Sequence, residues 1–430
     1  MSVAVHVEVT NTLEVPFTSG FQRHTRELLE RLPRIPGEAP FHVVPVIWCV
    51  ASQALRTLTA DETHRLANPP TPRAPSAVAT FGGRLPEPVA RVARRLWHVR
   101  PLESAKATVR RRRAVVPPGV TVLDPFPGGS WLVDLEACWH VPWRRDQALP
   151  VLRAAGVHTA ALIADVMPEQ HPEWFVPRTV ERFGIFLRAH LESSDHFLPI
   201  SRQTEADLAW LARRLGRDRP YRTSIIQLGA DFHLDSDAPP RLPDALAGKR
   251  IIVCVATLEP RKNQAVCLDA LELLTADHPD LALVLIGREG WGMDTLVERI
   301  ADHPLNGTAL HWFPHADDDL LAAVVSHAVL ALAPSRYEGY GMPVIEALGV
   351  GVPVVSSGQG ALAEASGDLA EICDPDDPDA WAATIARHLD DPAHHAAVRA
   401  RVAQFHPPTW DRCAEQVAAA LAEMVAEQSS

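Results

Sequence analysis

The chain has 430 residues, of which 47% are hydrophobic, and its formal net charge at pH 7 is −12. This length exceeds what one hydrophobic core usually supports, so about two or three domains are expected. The negative charge excludes a general attraction to nucleic acid, and we expect no nucleic-acid partner.

The cysteines and the N-terminus indicate the compartment. The six cysteines are scattered without a C-x-x-C pair, which is typical of buried or free thiols in a reducing cytosol. Residues 1–10 alternate as a strand without a basic start, and no apolar run reaches the ~18 residues of a membrane-spanning helix. We therefore expect a cytoplasmic protein without a signal peptide or a spanning helix.

Strands alternate with helices in the first half of the chain. A strand ends at Thr10, a loop covers residues 11–20, and an amphipathic helix runs from Phe21 to Leu32. Ser19 and Gly20, at the start of this helix, are candidates to receive a phosphate or an acceptor hydroxyl. Further strands are predicted at residues 41–50, 131–135, 158–164 and 195–200. This alternation predicts a parallel sheet with helices on both faces.

Residues 51–119 are rich in proline and arginine and are predicted to form a long irregular insertion. Within them, residues 91–113 carry eight arginines and one lysine against a single glutamate, Glu103. One interpretation is a basic amphipathic element that lies on an anionic membrane surface, where each cation contributes about 1 kcal/mol. It would place the protein peripherally at the inner membrane face. The other interpretation, a solvated basic face, stays open.

The second half of the chain repeats the same alternation. Residues 235–243 are polar and proline-rich, which is typical of a linker. After them, strands are predicted at residues 250–256 and 282–287, and helices at residues 263–274 and 320–327. Two doubly wound halves joined by a linker predict an α/β protein with a ligand cleft between two domains.

The strongest chemical signal lies in residues 333–357. Two carboxylates, Glu338 and Glu346, have seven residues between them, including a Gly-Tyr-Gly motif and a proline. A helix is predicted to begin at Met342 or Pro343, because proline suits a first helical position. Its free N–H groups then lie between two acceptors at the carboxyl ends of buried strands, which predicts an anion site. Either glutamate alone would be ordinary helix-start chemistry.

Arg261 and Lys262 give the second signal. They follow a predicted strand that ends at Ala256, and they are predicted to lie in the first turn of the next helix. A helix N-terminus disfavours cations by about 0.3–1 kcal/mol each, so a compensating anion is expected. A diphosphate fits, because arginine offers a planar fork and lysine a point charge. Two solvated cations on an exposed turn are the alternative.

Other polar clusters predict no metal site. The acidic runs at residues 317–319 and 374–379 fall where helices begin, so helix capping explains them. His394 and His395 have no third ligand within sequence reach.

These features together resemble the retaining glycosyltransferases of the large GT-B family, which includes bacterial mannosyl- and glucosyltransferases. The motifs that carry the resemblance are EPRKN at 259–263, LIGREGW at 285–291, PSRYEGYGMPVIEALGVGVPVVSS at 334–357 and GDLAEICDPDD at 367–377. The resemblance implies two Rossmann-like domains that face each other across a cleft. They would cover residues 1–240 and 241–405, with a final helix in residues 406–430 that crosses back to the first domain.

The resemblance also implies a donor site. Glu338 would contact the donor sugar, Glu346 the ribose of the nucleotide, and the cations the departing diphosphate. A nucleotide diphosphate sugar is then a co-substrate, and no metal or other cofactor is expected. The implied donor-binding residues are Gly20, Arg261, Lys262, Pro314, His315, Glu338, Gly339, Tyr340, Gly341, Met342 and Glu346. Catalytic roles fall on Glu338, Asp165, Arg261 and Lys262.

One position departs from the family pattern. Many members carry a His-Asp pair after a strand of the first half, and the matching residues here are Ala164 and Asp165. We interpret the missing histidine as a subfamily trait. His171, six residues further on, is a substitute or an ordinary loop residue.

The predicted function is a retaining transfer of a hexose to a carbohydrate or lipid-linked glycan acceptor, in surface polysaccharide synthesis. Two alternatives stay open. A nucleotide-sugar epimerase of the same architecture would need no acceptor, and a non-catalytic nucleotide-sugar-binding subunit would perform no chemistry.

Overall fold

The computed structural model describes residues 2–14, 20–34, 39–68, 115–230 and 241–428. The basic segment 91–113 lies outside these ranges, so both interpretations of it stay predictions. Most of the predicted linker, residues 235–240, also lies outside them. In the described part, no helix is both long and apolar enough to cross a membrane.

The described strands follow the predicted order, with slightly different ends. They are β1 (Val3–Glu8), β2 (Phe41–Cys49), β3 (Ala54–Thr57), β4 (Val122–Leu123), β5 (Trp131–Asp134), β6 (His158–Ile163), β7 (His196–Pro199), β8 (Arg222–Thr223), β9 (Arg250–Val255), β10 (Leu281–Ile286), β11 (Leu310–Phe313), β12 (Ala328–Ala333), β13 (Val354–Ser356) and β14 (Glu371–Ile372).

Helices separate most of these strands. They are α1 (Thr10–Glu14), α2 (Gly20–Arg31), α3 (Ala60–Ala67), α4 (Arg145–Ala154), α5 (Met167–Gln170), α6 (Pro177–Ser193), α7 (Arg202–Arg214), α8 (Gln264–Leu274), α9 (Asp294–Ala301), α10 (Asp318–His327), α11 (Met342–Gly349), α12 (Leu362–Ser366), α13 (Pro378–Asp390), α14 (Pro392–Val402) and α15 (Trp410–Gln428).

The strands form two sheets. The first has the order β4-β3-β2-β1-β5-β6-β7-β8, and the second has the order β11-β10-β9-β12-β13-β14. Every described pairing in the second sheet is parallel. Two sheets with intervening helices confirm the predicted α/β class with Rossmann-like halves.

The second sheet is buried on both faces. Along β9, Ile252 and Cys254 pack in one apolar cluster with residues of α8 and α13. Ile251 and Val253 pack in another cluster with residues of α10 and α11. Successive side chains of a strand point to opposite faces, so helices cover this sheet on both sides. The functional loops therefore project from the sheet's rigid carboxyl edge.

The chain divides into two compact units. One comprises Met1–Ala161, Ser193–Asp195 and Leu421–Ser430, and the other comprises Leu162–Glu192 and His196–Ala420. Residues of β6 are therefore shared between the units, and the last residues of α15 belong with the first one. The predicted domain boundaries at residues 240 and 405 stay predictions.

A short helix replaces part of the first predicted loop. The loop is predicted over residues 11–20, whereas α1 covers Thr10–Glu14. The backbone N–H groups of Asn11 and Thr12 donate to the Glu136 carboxylate at 2.6 and 2.8 Å. The carboxyl group of Glu136 thus accepts from N–H groups at the start of this helix, and it comes from a distant part of the sequence.

The predicted insertion begins with regular structure, so its irregular description is wrong for residues 54–67. Strand β3 pairs antiparallel with β2, and α3 follows it. Thr59 and Glu62 form a capping box, in which each side chain accepts from the other residue's backbone N–H. The T-x-x-E spacing was the available sequence signal for this helix.

The predicted thiols and helix caps are confirmed. All six cysteines are free and buried. Asp317 and Asp377 accept from the backbone N–H groups of Leu320 and Ala380 at the starts of α10 and α13.

A buried ion network joins β1, β5 and α4 within the first unit. Arg145 donates to the two carboxylate oxygens of Asp134 at 2.7 and 3.0 Å and to Glu8 at 3.3 Å. The Arg145 side chain is 2% exposed, and both carboxylates are fully buried. Burial raises the pKa of Glu8, and the charge of Arg145 opposes this rise. The guanidinium is thus the counter-ion of two carboxylates.

We expect Arg145→Leu to lower the free energy of unfolding by about 3–5 kcal/mol, because it leaves two buried carboxylates without their cation. Arg144→Leu is the matched control. Arg144 pairs with Asp146, but its side chain is 55% exposed, so a change below about 1 kcal/mol is expected. Urea denaturation of both variants measures the difference. Equal stability of the two variants would show that the network contributes nothing.

Candidate functional site

The candidate site lies in the second unit, at the carboxyl ends of β9 and β12. Helix α11 begins at Met342, as predicted, and Gly341 precedes it with a φ of 103°. Only glycine adopts this φ readily, so Gly341 allows the chain to turn into the helix. The loop after β12 then presents Glu338 toward the loop after β9.

The predicted position of Arg261 and Lys262 in a helix is wrong. Both lie in a 3₁₀ turn, Pro260–Lys262, and α8 begins only at Gln264. Asn263 separates the two elements with a left-handed φ of 54°. The expectation based on the dipole of α8 therefore does not apply to these cations. A protein carboxylate already pairs with both of them.

Glu338 is that carboxylate. Its Oε2 accepts from Arg261 Nη1 at 3.0 Å, and its Oε1 accepts from Lys262 Nζ and, at 2.7 Å, from Ser335 Oγ. The side chains of Glu338, Arg261 and Lys262 are only 12–15% exposed. Burial raises the pKa of Glu338, but Lys262 and Arg261 outweigh burial and bring this pKa down to about 2. Glu338 is therefore ionised at neutral pH.

Two further carboxylates surround the same cations. Burial raises the pKa of Glu259 and that of Asp165, in each case against the charge of Arg261. Arg261 Nε lies 3.2 Å from Glu259 Oε2, an ion-pair distance between two buried groups. Arg261 thus pairs with both Glu259 and Glu338, and an anionic ligand would compete with these carboxylates for the guanidinium.

The Gly-Tyr-Gly loop offers a row of donors. Within the described part of the chain, the backbone N–H groups of Gly339, Tyr340, Gly341 and Met342 donate to no protein acceptor. Together with Arg261 and Lys262, these N–H groups can bind phosphate oxygens or sugar hydroxyls.

Gly339 packs directly against Ala164 and Asp165. A Cβ on Gly339 would lie 2.0 Å from the Ala164 carbonyl oxygen, so no side chain fits there. The Gly339 carbonyl accepts from Ser201 Oγ at 2.7 Å and from Thr204 Oγ1 at 3.1 Å. The fold thereby brings Asp165 to the site. Ser201 and Thr204 were missed from the sequence, although Ser201 also caps α7 and serine is a preferred N-cap residue.

Asn263 is another residue that sequence analysis missed. Its Nδ2 donates to the carbonyl groups of Pro334, at 3.3 Å, and Pro375, at 2.7 Å. It therefore ties together the loops that follow β9, β12 and β14. The left-handed conformation that this requires is one that asparagine tolerates well.

An open cleft of about 380 Å³ adjoins this loop system. Trp174, Arg336, Ser357, Gln359 and Asp374 are among its lining residues. Ser357 links the cleft to the site, because its Oγ donates to the carbonyl of Ser335 at 2.5 Å. The volume is in the range typical of small-molecule sites.

Trp174, which lines this cleft, lies among other aromatic side chains. Trp291 Nε1 donates to the Trp174 carbonyl at 2.7 Å, and the Trp291 ring stacks near Phe175. The His171 ring stacks on Trp174 at 3.9 Å and lies 6.1 Å from the Tyr337 ring. His171 is therefore near the residue that precedes Glu338, while its role as a substitute for the family histidine stays a prediction.

The remaining predicted residues belong to other elements. Glu346, in α11, lines a small cavity with Val255 and Ala333, the last residues of β9 and β12. Pro314 and His315 follow β11. Gly20 is the first residue of α2 and belongs to the first unit. Their predicted ligand contacts stay predictions.

The chain is similar to glycosyltransferases. Residues 243–405 match the family described as Glycosyl transferases group 1. The chain is 32% identical over 216 residues to the serotype-specific mannosyltransferase WbdA of Escherichia coli, a match that covers 47% of this chain and only 26% of that protein. It is 29% identical over 289 residues to the O-antigen chain mannosyltransferase B of Escherichia coli, covering 65% of this chain and 71% of that protein.

A solved structure shares the fold. The Anabaena protein HepE in complex with UDP-glucose matches with a TM-score of 0.60 and 14% sequence identity, over 98% of this chain and 100% of that chain. At this identity the similarity shows the fold alone, which is GT-B, as predicted.

We expect Glu338→Gln to destabilise the protein by about 3 kcal/mol at neutral pH, because the pKa of Glu338 falls from 4.5 to about 2 on folding. A lowered carboxyl pKa stabilises the fold above pH 4.5, and this contribution disappears as the pH falls toward 2. The stability gap between wild type and variant should therefore close over that window. Urea titrations from about pH 7 to about pH 3 measure the gap.

Glu272→Gln is the control for this prediction. Glu272 pairs with Arg299, but its side chain is 47% exposed, so its effect should stay below about 1 kcal/mol. If the difference in unfolding free energy between wild type and Glu338→Gln did not change with pH, the lowered pKa of Glu338 would be contradicted.

Proposed function

From the match of residues 243–405 to the family described as Glycosyl transferases group 1, we propose that the chain transfers a hexose from a nucleotide diphosphate sugar to a carbohydrate acceptor. We further propose that the transfer retains the anomeric configuration. The observation that carries the proposal is the buried pair Arg261 and Lys262 beside the free N–H groups of residues 339–342.

The two cations and the N–H groups suit a departing diphosphate. As the bond between the sugar and the β-phosphate breaks, negative charge grows on the phosphate and positive charge grows on the sugar. Fixed donors in a water-poor site stabilise the first charge more in the transition state than in the ground state, which lowers the barrier. Because Arg261 and Lys262 supply this charge, we propose that the reacting centre needs no metal ion.

The carboxylates suit the sugar side. Glu338 lies at the start of the N–H row and is ionised, so it can accept from sugar hydroxyls and face the developing cation. Asp165, whose pKa burial raises, packs against Gly339 and can exchange a proton with an acceptor hydroxyl. Glu346, which lies in α11 four residues after its start at Met342, is the candidate to bind the ribose.

The open cleft that Trp174 lines, called the Trp174 cleft below, suits the acceptor. An indole face stacks on the apolar face of a sugar ring, while Arg336, Gln359 and Asp374 offer hydrogen bonds to hydroxyls. Both Escherichia coli relatives named above are mannosyltransferases, one of them for the O-antigen chain. A mannosyl donor and a surface-polysaccharide acceptor are therefore the first pair to test.

The experiment combines donor binding with turnover. A thermal-shift panel of UDP- and GDP-hexoses identifies the donor, and product analysis follows with and without mannose oligosaccharides. We expect transfer only with acceptor, and a loss of kcat of about 100-fold or more in Arg261→Ala and Lys262→Ala. Glu272→Gln, near the C-terminal end of helix α8, should keep full activity.

Each alternative outcome has a distinct meaning. A changed sugar nucleotide without acceptor indicates an epimerase, and binding without turnover indicates a non-catalytic subunit. Full transfer by Glu338→Ala, or no melting-temperature shift with any nucleotide sugar, would overturn the proposal.

A further inference from the structure

Three ligand-type side chains meet where α13 ends and α14 begins. His388 comes from the last turn of α13, His394 from the first turn of α14, and Glu371 from strand β14. His394 Nε2 lies 2.9 Å from Glu371 Oε1, and His388 Nε2 lies 3.6 Å from Glu371 Oε2. One ligand atom from each residue falls within 4.8 Å of the others. Such separations suit three ligands around one ion.

His388 is buried, with 3% of its surface exposed. Within the described residues its Nε2 makes no hydrogen bond, and the Glu371 carboxylate lies 3.6 Å away. His394 Nε2 contacts Glu371 Oε1 at 2.9 Å as an ion pair, without hydrogen-bond geometry. Buried nitrogen atoms that make no hydrogen bond are rare in folded proteins. An ion among the three side chains would satisfy both nitrogens.

The other ring nitrogen of His388 is fixed. Its Nδ1 lies within hydrogen-bond distance of His395 Nδ1, at 3.1 Å. When His388 donates its Nδ1–H to His395, its Nε2 presents a lone pair toward Glu371. A metal-binding histidine commonly donates its second N–H in this way, which fixes the tautomer and the ring. Arg387 pairs with Glu371 and holds that carboxylate from outside.

A second cluster in the fold provides a contrast. Glu8, Asp134 and Cys138 also place ligand atoms within 4.8 Å of one another. There, however, Arg145 lies among the carboxylates and serves as their cation. In the histidine cluster, Arg387 pairs with the one carboxylate, Glu371, and the other two ligand-type side chains are imidazoles.

We propose that Glu371, His388 and His394 bind a divalent transition-metal ion, with zinc as the best match. Two imidazole nitrogens and one carboxylate oxygen are zinc-type donors, whereas calcium and magnesium prefer oxygen alone. His395 and Arg387 are positioning residues. The ion would be structural, because it fastens the edge strand β14 to the α13–α14 corner. Ile372, Cys373 and Asp374, which follow Glu371, line the Trp174 cleft.

The test uses the full chain after removal of metal with a chelator. Titration with Zn²⁺ should show one bound equivalent and a raised melting temperature, and Co²⁺ should show the visible bands of a low-coordinate site. Glu371→Gln and His394→Ala should each weaken binding by about 100-fold or more. Both are partly exposed, so they keep the test valid if His388→Ala fails to fold.

His327→Ala is the matched control. His327 also ends a helix, but its Nδ1 lies 2.8 Å from the carbonyl of Ala323 and it has no part in the cluster, so binding should be unchanged. Absence of a stoichiometric site, or equal binding by His394→Ala, Glu371→Gln and the control, would overturn the proposal. Because the readouts are binding and stability, this outcome is independent of transferase activity.

Discussion

The ion pairs of Glu338 with Arg261 and Lys262 are the interaction on which the candidate site depends. They join the loop after β9 to the loop after β12, and the backbone bond from Arg336 N–H to the Arg261 carbonyl, at 2.7 Å, reinforces this join. Buried ion pairs add little net stability compared with apolar side chains of equal volume, because both ions lose their hydration. We propose that these pairs serve ligand binding rather than net stability.

The same interaction bears on the proposed binding of a diphosphate. Two cations are surrounded by three carboxylates, Glu338, Glu259 and Asp165, and burial raises the pKa of the last two. An incoming diphosphate must share the cations with Glu338 and tolerate the other carboxylates. The free N–H groups of the Gly-Tyr-Gly loop supply donors without adding charge. Ser201 and Thr204 hold that loop by its Gly339 carbonyl, so its donors are already oriented.

Local patterns in the sequence predicted the framework well, because strand periodicity and the proline at position 343 act over a few residues. The start of α11, the parallel strands and the aspartate caps are therefore confirmed. Features that depend on distant residues could not be predicted. Asn263 adopts a left-handed conformation and ends the 3₁₀ turn of the cations before α8 begins. The N–H groups at the start of α1 donate to Glu136, which is remote in sequence. The aromatic contacts of Trp174 and the histidine cluster likewise depend on tertiary packing.

The central claim is that a nucleotide diphosphate sugar binds beside Glu259 and Asp165 at the Arg261–Lys262 pair. Added negative charge should raise the pKa of both carboxylates further, so binding should be accompanied by proton uptake. Calorimetric titration of the intact donor, in buffers of different ionisation enthalpy at one pH, measures this uptake directly. We predict uptake in wild type and a reduced uptake in Glu259→Gln. Proton release, or a heat of binding that is the same in every buffer, would contradict the claim.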